Sequence, residues 1–204
     1  MKERKNLYCK MQKNYRKNFS ELVNILERQE NEIVNFINSF SSMIKQNYKN
    51  KNNLFVLGNG GLYSEADHFC AELNCTFKKN NRKPFNAQNL ASNPSSITAW
   101  SNDYDFNSLY ARLIDANCNK GDILYIMSTS GGYGKVELKN NLYQAAKKAK
   151  SKKMRVISIL GNFTTIIAKK SNIYLNLNSK KTSTIQESIL FINHLICESL
   201  ESKT

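Results

Sequence analysis

The chain has only two histidines, and each stands at helical spacing from groups that could work with it. His68 is followed four residues later by Glu72, a separation that puts both side chains on one helix face about one turn apart. His194 closes the segment Gln186-Glu187-Ser188-Ile189-Leu190-Phe191-Ile192-Asn193-His194. Together His68, Glu72, Gln186 and His194 could bind zinc or move protons. Plainer readings compete. His68 and Glu72 could be an exposed pair, and His194, set among Ile192, Leu195 and Ile196, could be a core histidine with a satisfied hydrogen bond. By helical angle Glu187 faces His194 more closely than Gln186 does. At S-x-x-Q and T-x-x-E spacing, Gln186 and Glu187 could also be capping-box partners of Ser183 and Thr184. Residue chemistry leaves these alternatives open.

Two glycine-rich turns accompany these side chains. Gly58-Asn59-Gly60-Gly61 leads into a helix predicted from about Ser64 to Phe77. Glycines let the backbone turn sharply and bring N–H groups near a ligand, and a helix N-terminus attracts an anion. The fingerprint G-x-G-x-x-G fails because Tyr63 takes the third glycine's place, and no G-x-x-x-x-G-K-[ST] occurs, which argues against a nucleoside triphosphate site. The second turn is Ser128-Thr129-Ser130-Gly131-Gly132, whose three hydroxyls and flexible backbone suit a phosphate without fixed positive charge. Either turn alone reads equally as an ordinary strand-to-helix connection with a Ser/Thr cap. Two on one sheet favour a site, though neither names a substrate.

The elements that must position these groups are legible as alternating runs. Leu54-Phe55-Val56-Leu57, Ile123–Met127, Arg155–Leu160 and Ile173–Leu177 are short and continuously apolar, with helix-like stretches between and after them, including Val136–Ser151 and Thr184–Leu200. Such strands mark a parallel sheet covered on both faces. The expectation is an open three-layer α/β domain, whose ligands bind beyond the carboxyl ends of the strands. Upstream, Leu22, Ile25, Ile33, Phe36, Ile37, Phe40 and Ile44 recur at helical spacing, predicting one or two amphipathic helices from Phe19 to about Tyr48, with Ser20 as a cap before Glu21.

At 204 residues one domain is the default, and 41% hydrophobic residues suffice for a core. The apolar runs are far shorter than a bilayer span, and no apolar stretch follows the basic start, so neither a membrane segment nor a signal peptide is expected. Five cysteines without a C-x-x-C pair favour reduced thiols in a cytoplasm. The net charge is +14, with 24 Lys and 29 Asn, a composition that coding bias alone would produce. Basic residues cluster at Lys2–Lys17 and Lys147–Arg155. A basic stripe is the footprint of nucleic-acid binding, but no zinc finger, RNA-binding aromatic signature or zipper accompanies it. A solvated surface is favoured, and an anionic small substrate would gain from the same field.

Taken in order, Gly58-Asn59-Gly60-Gly61, His68-Phe69-x-x-Glu72-Leu73, Asn102-Asp103-Tyr104, Lys120-Gly121-Asp122, Ser128-Thr129-Ser130-Gly131 and Ile185-Gln186-Glu187 through His194 resemble the phosphoheptose isomerases. These are sugar isomerase (SIS) domain proteins that convert sedoheptulose 7-phosphate to D-glycero-D-manno-heptose 7-phosphate. The resemblance covers roughly Phe19 to Glu201, leaving residues 1–18 as a basic extension before a single domain over 19–204. It implies an SIS-type fold with a central parallel sheet of about five strands preceded by N-terminal helices. It also implies a cytoplasmic homotetramer with active sites at subunit interfaces, one zinc per subunit, and a product that feeds lipopolysaccharide, capsule or S-layer glycans. Asn59, Gly60, Gly61, Asn102, Asp103, Ser128, Thr129 and Ser130 would line the sugar phosphate site. His68, Glu72, Gln186 and His194 match the zinc ligands, and Glu72 and Gln186 also match substrate contacts.

The chemistry fits those residues. Ketose–aldose conversion removes a proton from carbon 1 and returns one to carbon 2 through an enediol. Glu72 is the candidate base, working best near neutrality if a dry site raises its pKa from about 4.3. His194 would protonate or shuttle between the two oxygens, or zinc could polarise the carbonyl instead. Departures from the family pattern stand at Leu62, Thr76, Gly132, Tyr133 and Ser183, and they bear on phosphate affinity and sugar identity. The rival reading is a non-catalytic SIS protein, either a replication-initiator-associating protein or a sugar-phosphate-sensing regulator whose N-terminus binds DNA. The initiator-associating relative lacks the catalytic pair, whereas this chain keeps Glu72 and His194.

Overall fold

Leu54-Phe55-Val56-Leu57 offers no polar position to turn toward water, and all four residues are buried in a strand. A computed structural model describes residues 2–132, 140–161 and 165–202, with side chains from residue 7 onward. Two long helices open the chain, α1 (Lys2–Arg28) and α2 (Glu30–Lys49). Then come β1 (Leu54–Leu57), α3 (Gly61–Asn74), the short β2 (Ala87–Asn89), α4 (Pro94–Asp103) and α5 (Phe106–Asn117). The second half runs β3 (Ile123–Ser128), α6 (Asn141–Ser151), β4 (Arg155–Gly161), a 3-10 turn at Ala168–Lys170, β5 (Ile173–Leu177) and α7 (Thr182–Glu201).

All five strands are parallel, in the order β2-β1-β3-β4-β5, with Leu54 beside Ile123 and Ile123 beside Arg155. Alternation along each strand feeds two separate cores. Leu54, Val56, Tyr125 and Met127 point to one, with Phe40 of α2, Phe69 of α3 and Ile189 of α7. Phe55, Leu57, Leu124 and Ile126 point to the other, with Leu109 and Ile114 of α5 and Ala145 of α6. Burying each such Leu, Ile or Phe contributes about 1.5–3 kcal/mol. The three layers and five strands agree with the expectation from sequence.

The strand order makes the adjacent ends of β1 and β3 the switch point, where connections leave the sheet toward opposite faces and open a crevice. α3 leaves toward the first core and α6 toward the second. The Lys120-Gly121-Asp122 motif serves this geometry. Asp122 is buried and accepts hydrogen bonds from the backbone N–H of Asn53 at 2.8 Å and of Asn119 at 2.7 Å, tying the entry of β3 to that of β1.

Several boundaries differ from expectation. Ser20 is no cap, because α1 runs through it unbroken, as it does through Asn18 and Phe19. α3 begins at Gly61 rather than Ser64 and ends at Asn74, before Phe77. α7 begins at Thr182 without a side-chain cap, so Ser183 and Thr184 lie inside its first turn and form no capping box. The helix expected from Val136 is seen as Asn141–Ser151, and Val136–Lys139 lies outside the described residues. In the second basic cluster, Lys148 pairs with Asp115 at 3.0 Å, Lys152 donates to the Asp115 carbonyl and Arg155 to Gln46 Oε1.

Candidate active site

The first glycine turn sits at the carboxyl end of β1. Gly60 has φ of 58°, in the region that favours glycine, and a Cβ built there would meet no heavy atom within 4 Å. Open space therefore lies beside the N-terminus of α3. Gly61 faces the opposite constraint: a Cβ on it would stand 2.8 Å from Gln186 Nε2 of α7. Asn59 Nδ2 donates to Asn141 Oδ1 at 3.0 Å, and Asn59 Oδ1 accepts from Tyr110 Oη at 2.9 Å, so the crevice is bridged from the β1 turn to α6. Burial pushes the Tyr110 hydroxyl up to about 12, which keeps it a neutral donor. Leu62, one of the departures from the family pattern noted in the sequence, is buried in the first core.

The second turn, at the end of β3, caps itself. Ser128 Oγ accepts from the Gly131 N–H at 3.0 Å and Ser130 Oγ from the Gly132 N–H at 3.3 Å, which leaves each hydroxyl hydrogen free to donate. Ser128 is buried, Thr129 half-buried and Ser130 exposed. Asn102 and Asp103 end α4, exposed and bonded to one another at 2.8 Å. Among the described residues no hydrogen bond joins either to the glycine turns. Tyr133 lies outside the described residues, and Thr76 and Ser183 are exposed.

The acid and the two imidazoles converge. His68 Nε2 and Glu72 Oε1 are 3.2 Å apart, and the His194 ring stands edge-on to that of His68 with centroids at 5.3 Å. One ligand atom from each of His68, Glu72 and His194 lies within 4.8 Å of the other two. His68, exposed, and Glu72, half-buried, thus form an i,i+4 pair that α7 makes into a cluster of three. His194 is half-buried rather than a core residue. Gln186 is two turns earlier on α7, half-buried against Gly61, while Glu187 is exposed. Packing of α7 on α3 thus turns the amide, and not the neighbouring acid, toward the site. Burial, together with the charge of Glu72, pushes the Cys197 thiol up to about 12, so no thiolate joins the cluster.

Other residues around the cluster carry no spacing signal in the sequence. The Phe77 ring stacks on His194 at 5.4 Å and 26°. Its loop is clamped by Glu201, which accepts from the backbone N–H of Phe77, Lys78 and Lys79 and from Arg82 Nε at 3.1 Å. Arg82 also donates to the carbonyls of Leu73 and Glu72, at 2.8 and 2.7 Å. Burial pushes the Glu201 carboxyl up, but its hydrogen bonds from Lys78, Arg82 and Phe77 outweigh that and hold it below the ordinary value. Glu65 contacts His68 from the other side, at 3.3 Å.

The chain matches the SIS domain family over residues 14–161. It is 34% identical over 161 residues to the phosphoheptose isomerase of Crocosphaera subtropica, covering 79% of each chain. It is 32% identical over 187 residues to that of Campylobacter concisus, covering 92% of this chain and 91% of the relative. The solved phosphoheptose isomerase of Neisseria gonorrhoeae superposes with a TM-score of 0.84 at 27% identity, over 94% of this chain and 99% of that one. On these matches the chain belongs to the phosphoheptose isomerase family of SIS-domain proteins.

Proposed function

We propose that the protein isomerises sedoheptulose 7-phosphate to D-glycero-D-manno-heptose 7-phosphate through an enediol, supplying heptose for a bacterial lipopolysaccharide or capsule. The supporting observation is the meeting of Glu72 with His68 and His194 on two helices, α3 of which starts at an open glycine turn. His68 is seven residues into α3, about 10 Å along it at 1.5 Å per residue. That separation suits a sugar held by its phosphate at one end and its carbonyl at the other.

In this reading Asn59, Gly60, Gly61, Ser128, Thr129 and Ser130 hold the phosphate end, Gln186 contacts the sugar, and Asn102 and Asp103 complete the pocket. Glu72 takes a proton from carbon 1 as the carbon 1–carbon 2 double bond forms, and His194 gives a proton to the carbonyl oxygen. The second half mirrors the first. His194 recovers a proton from the oxygen on carbon 1, and Glu72 delivers its proton to carbon 2, so no atom is gained or lost.

The donor set of two imidazoles and a carboxylate also fits zinc, whose tetrahedral ligands stand roughly 3.4 Å apart, a modest contraction of the observed cluster. His68, Glu72 and His194 would hold the ion; Gln186, the fourth ligand in this reading, rests against Gly61 at the start of α3 and would have to swing toward them. When bound, zinc would supply polarisation of the carbonyl. A ligating Glu72 is a weaker base, so the two roles compete.

Enolisation favours a water-excluding site, yet the His68 side chain is 41% exposed. A second copy covering this face would exclude that water, and in this reading the protein is a homotetramer with interfacial sites. No helix among the described residues is long and apolar enough to cross a membrane. All five cysteines are free thiols, which supports the cytoplasm as the compartment. The test is turnover of sedoheptulose 7-phosphate by wild type, Glu72→Gln and His194→Ala, with and without a chelator. Activity lost in both variants but indifferent to chelation assigns acid/base work without metal. Wild type that is inert on this substrate yet isomerises another ketose phosphate overturns the substrate and keeps the reaction class.

A further inference from the structure

We infer that Glu65 positions His68, and that Asn193, locked by Tyr125, positions Glu65. Glu65 precedes His68 by three residues on α3, and its two oxygens face different partners. Oε2 lies 3.3 Å from His68 Nδ1, and Oε1 accepts from Asn193 Nδ2 at 2.6 Å. Asn193 is buried, and its Oδ1 accepts from the buried Tyr125 hydroxyl at 2.9 Å. Its amide nitrogen also meets Met127 Sδ at 3.5 Å. Burial pushes the Tyr125 hydroxyl well above its ordinary value, so it donates; the amide oxygen must then accept, and the amide nitrogen is fixed toward Glu65.

The consequence falls on the imidazole. An ionised carboxylate can only accept, so each His68 nitrogen that faces one needs a hydrogen, and the inference gives the ring hydrogen to Nδ1, toward Glu65. A neutral ring has one such hydrogen, which leaves Nε2 as a bare lone pair opposite Glu72 Oε1 at 3.2 Å. Two acceptors at that distance repel unless a proton or a cation sits between them. Without Glu65 the ring would give its hydrogen to Glu72 and close the pair against a metal. Glu65 is the drier of the two carboxylates, 11% exposed against 23% for Glu72, and the one with a buried amide behind it. It selects the tautomer able to ligate, as carboxylates behind metal-binding histidines do. The metal part of this inference rests on the reading of the cluster as a zinc site; the tautomer part does not.

The experiment uses the full chain as wild type, Glu65→Gln, Tyr125→Phe and, as a control on α5, Asp115→Asn. Zinc affinity is read by competition with a chromophoric chelator. The ring tautomer of metal-free protein is read from 15N-histidine spectra at about pH 9, where imidazoles are ordinarily neutral. With two histidines in the chain, His194→Gln assigns the signals. Glu65→Gln is expected to weaken zinc binding about 10–100-fold and to shift the His68 hydrogen from Nδ1 to Nε2. Tyr125→Phe should move both readouts less, in the same direction, and Asp115→Asn neither. A folded Glu65→Gln that binds zinc within about twofold of wild type, with its tautomer unchanged, overturns the inference. Should Glu65→Gln fail to fold, the same result in Tyr125→Phe overturns it. If wild type takes up no zinc, the metal reading falls and the tautomer still decides: Nδ1–H lost in Glu65→Gln supports positioning, and Nε2–H in wild type ends it.

Discussion

Phe77 lies flat against His194, with ring centroids 5.4 Å apart and planes within 26°. The stacked ring fixes the plane of the imidazole that must reach two neighbouring oxygens in turn. Aromatic pairs of this kind contribute about 0.5–1.5 kcal/mol beyond burial. Phe77→Ala should therefore lower kcat/KM by roughly 2- to 10-fold, mostly in kcat, while Phe77→Tyr keeps near-normal turnover. Steady-state kinetics beside a thermal melt separate this from general destabilisation.

Gly61 and Gln186 form a second pairing, between the start of α3 and the first turns of α7. A methyl on Gly61 would stand 2.8 Å from Gln186 Nε2, so the amide must move. Gly61→Ala should raise KM for the sugar phosphate several-fold and leave the fold intact. Gln186→Ser removes the clash together with the contact. In the double variant the two losses should therefore fall short of adding, as expected of residues in contact. Strict additivity of the two KM effects would mean that the amide is not the group displaced.

How much of this was readable in the sequence depends on the range of each contact. Strands β1, β3, β4 and β5 announce themselves because a strand buried on both faces has no polar alternation. β2 hides because it is three residues long and exposes Gln88. The His68–Glu72 pair is local and therefore legible, whereas its meeting with His194 depends on how α7 packs on α3. Helical angle favours Glu187 over Gln186, and only that packing reverses the choice. The Asn193–Glu65 and Arg82–Glu201 contacts join positions 128 and 119 residues apart, so no spacing betrays them.

The Arg82–Glu201 clamp is almost fully buried, and it carries a pH dependence. The Glu201 carboxyl is held below its ordinary value of 4.5, so the folded state prefers it ionised. Its contribution is complete above that value and is lost as pH falls through the lowered one. Acid unfolding of wild type should therefore steepen below about pH 4.5, and Glu201→Gln should flatten that limb while lowering stability at pH 7. Arg82→Met, which strands a buried carboxylate, should cost about 3–5 kcal/mol in denaturant melts. It should also reduce turnover, since the clamp holds the loop that carries Phe77.

The N-terminal half of α1 makes the last prediction. Residues 7–20 are exposed all round, yet Leu7, Tyr8, Met11, Tyr15 and Phe19 recur along one side at nearly four-residue steps. A projecting helix of this length is marginal in water by itself, and a stripe of large apolar groups on it calls for a covering surface. In the proposed homotetramer that surface is another copy. Met11→Glu with Tyr15→Glu should then shift the sedimenting species to a smaller assembly. Activity should fall with it, because the same association would exclude water from the His68 face. Retention of both the wild-type mass and the wild-type turnover would show that the stripe serves neither assembly nor site.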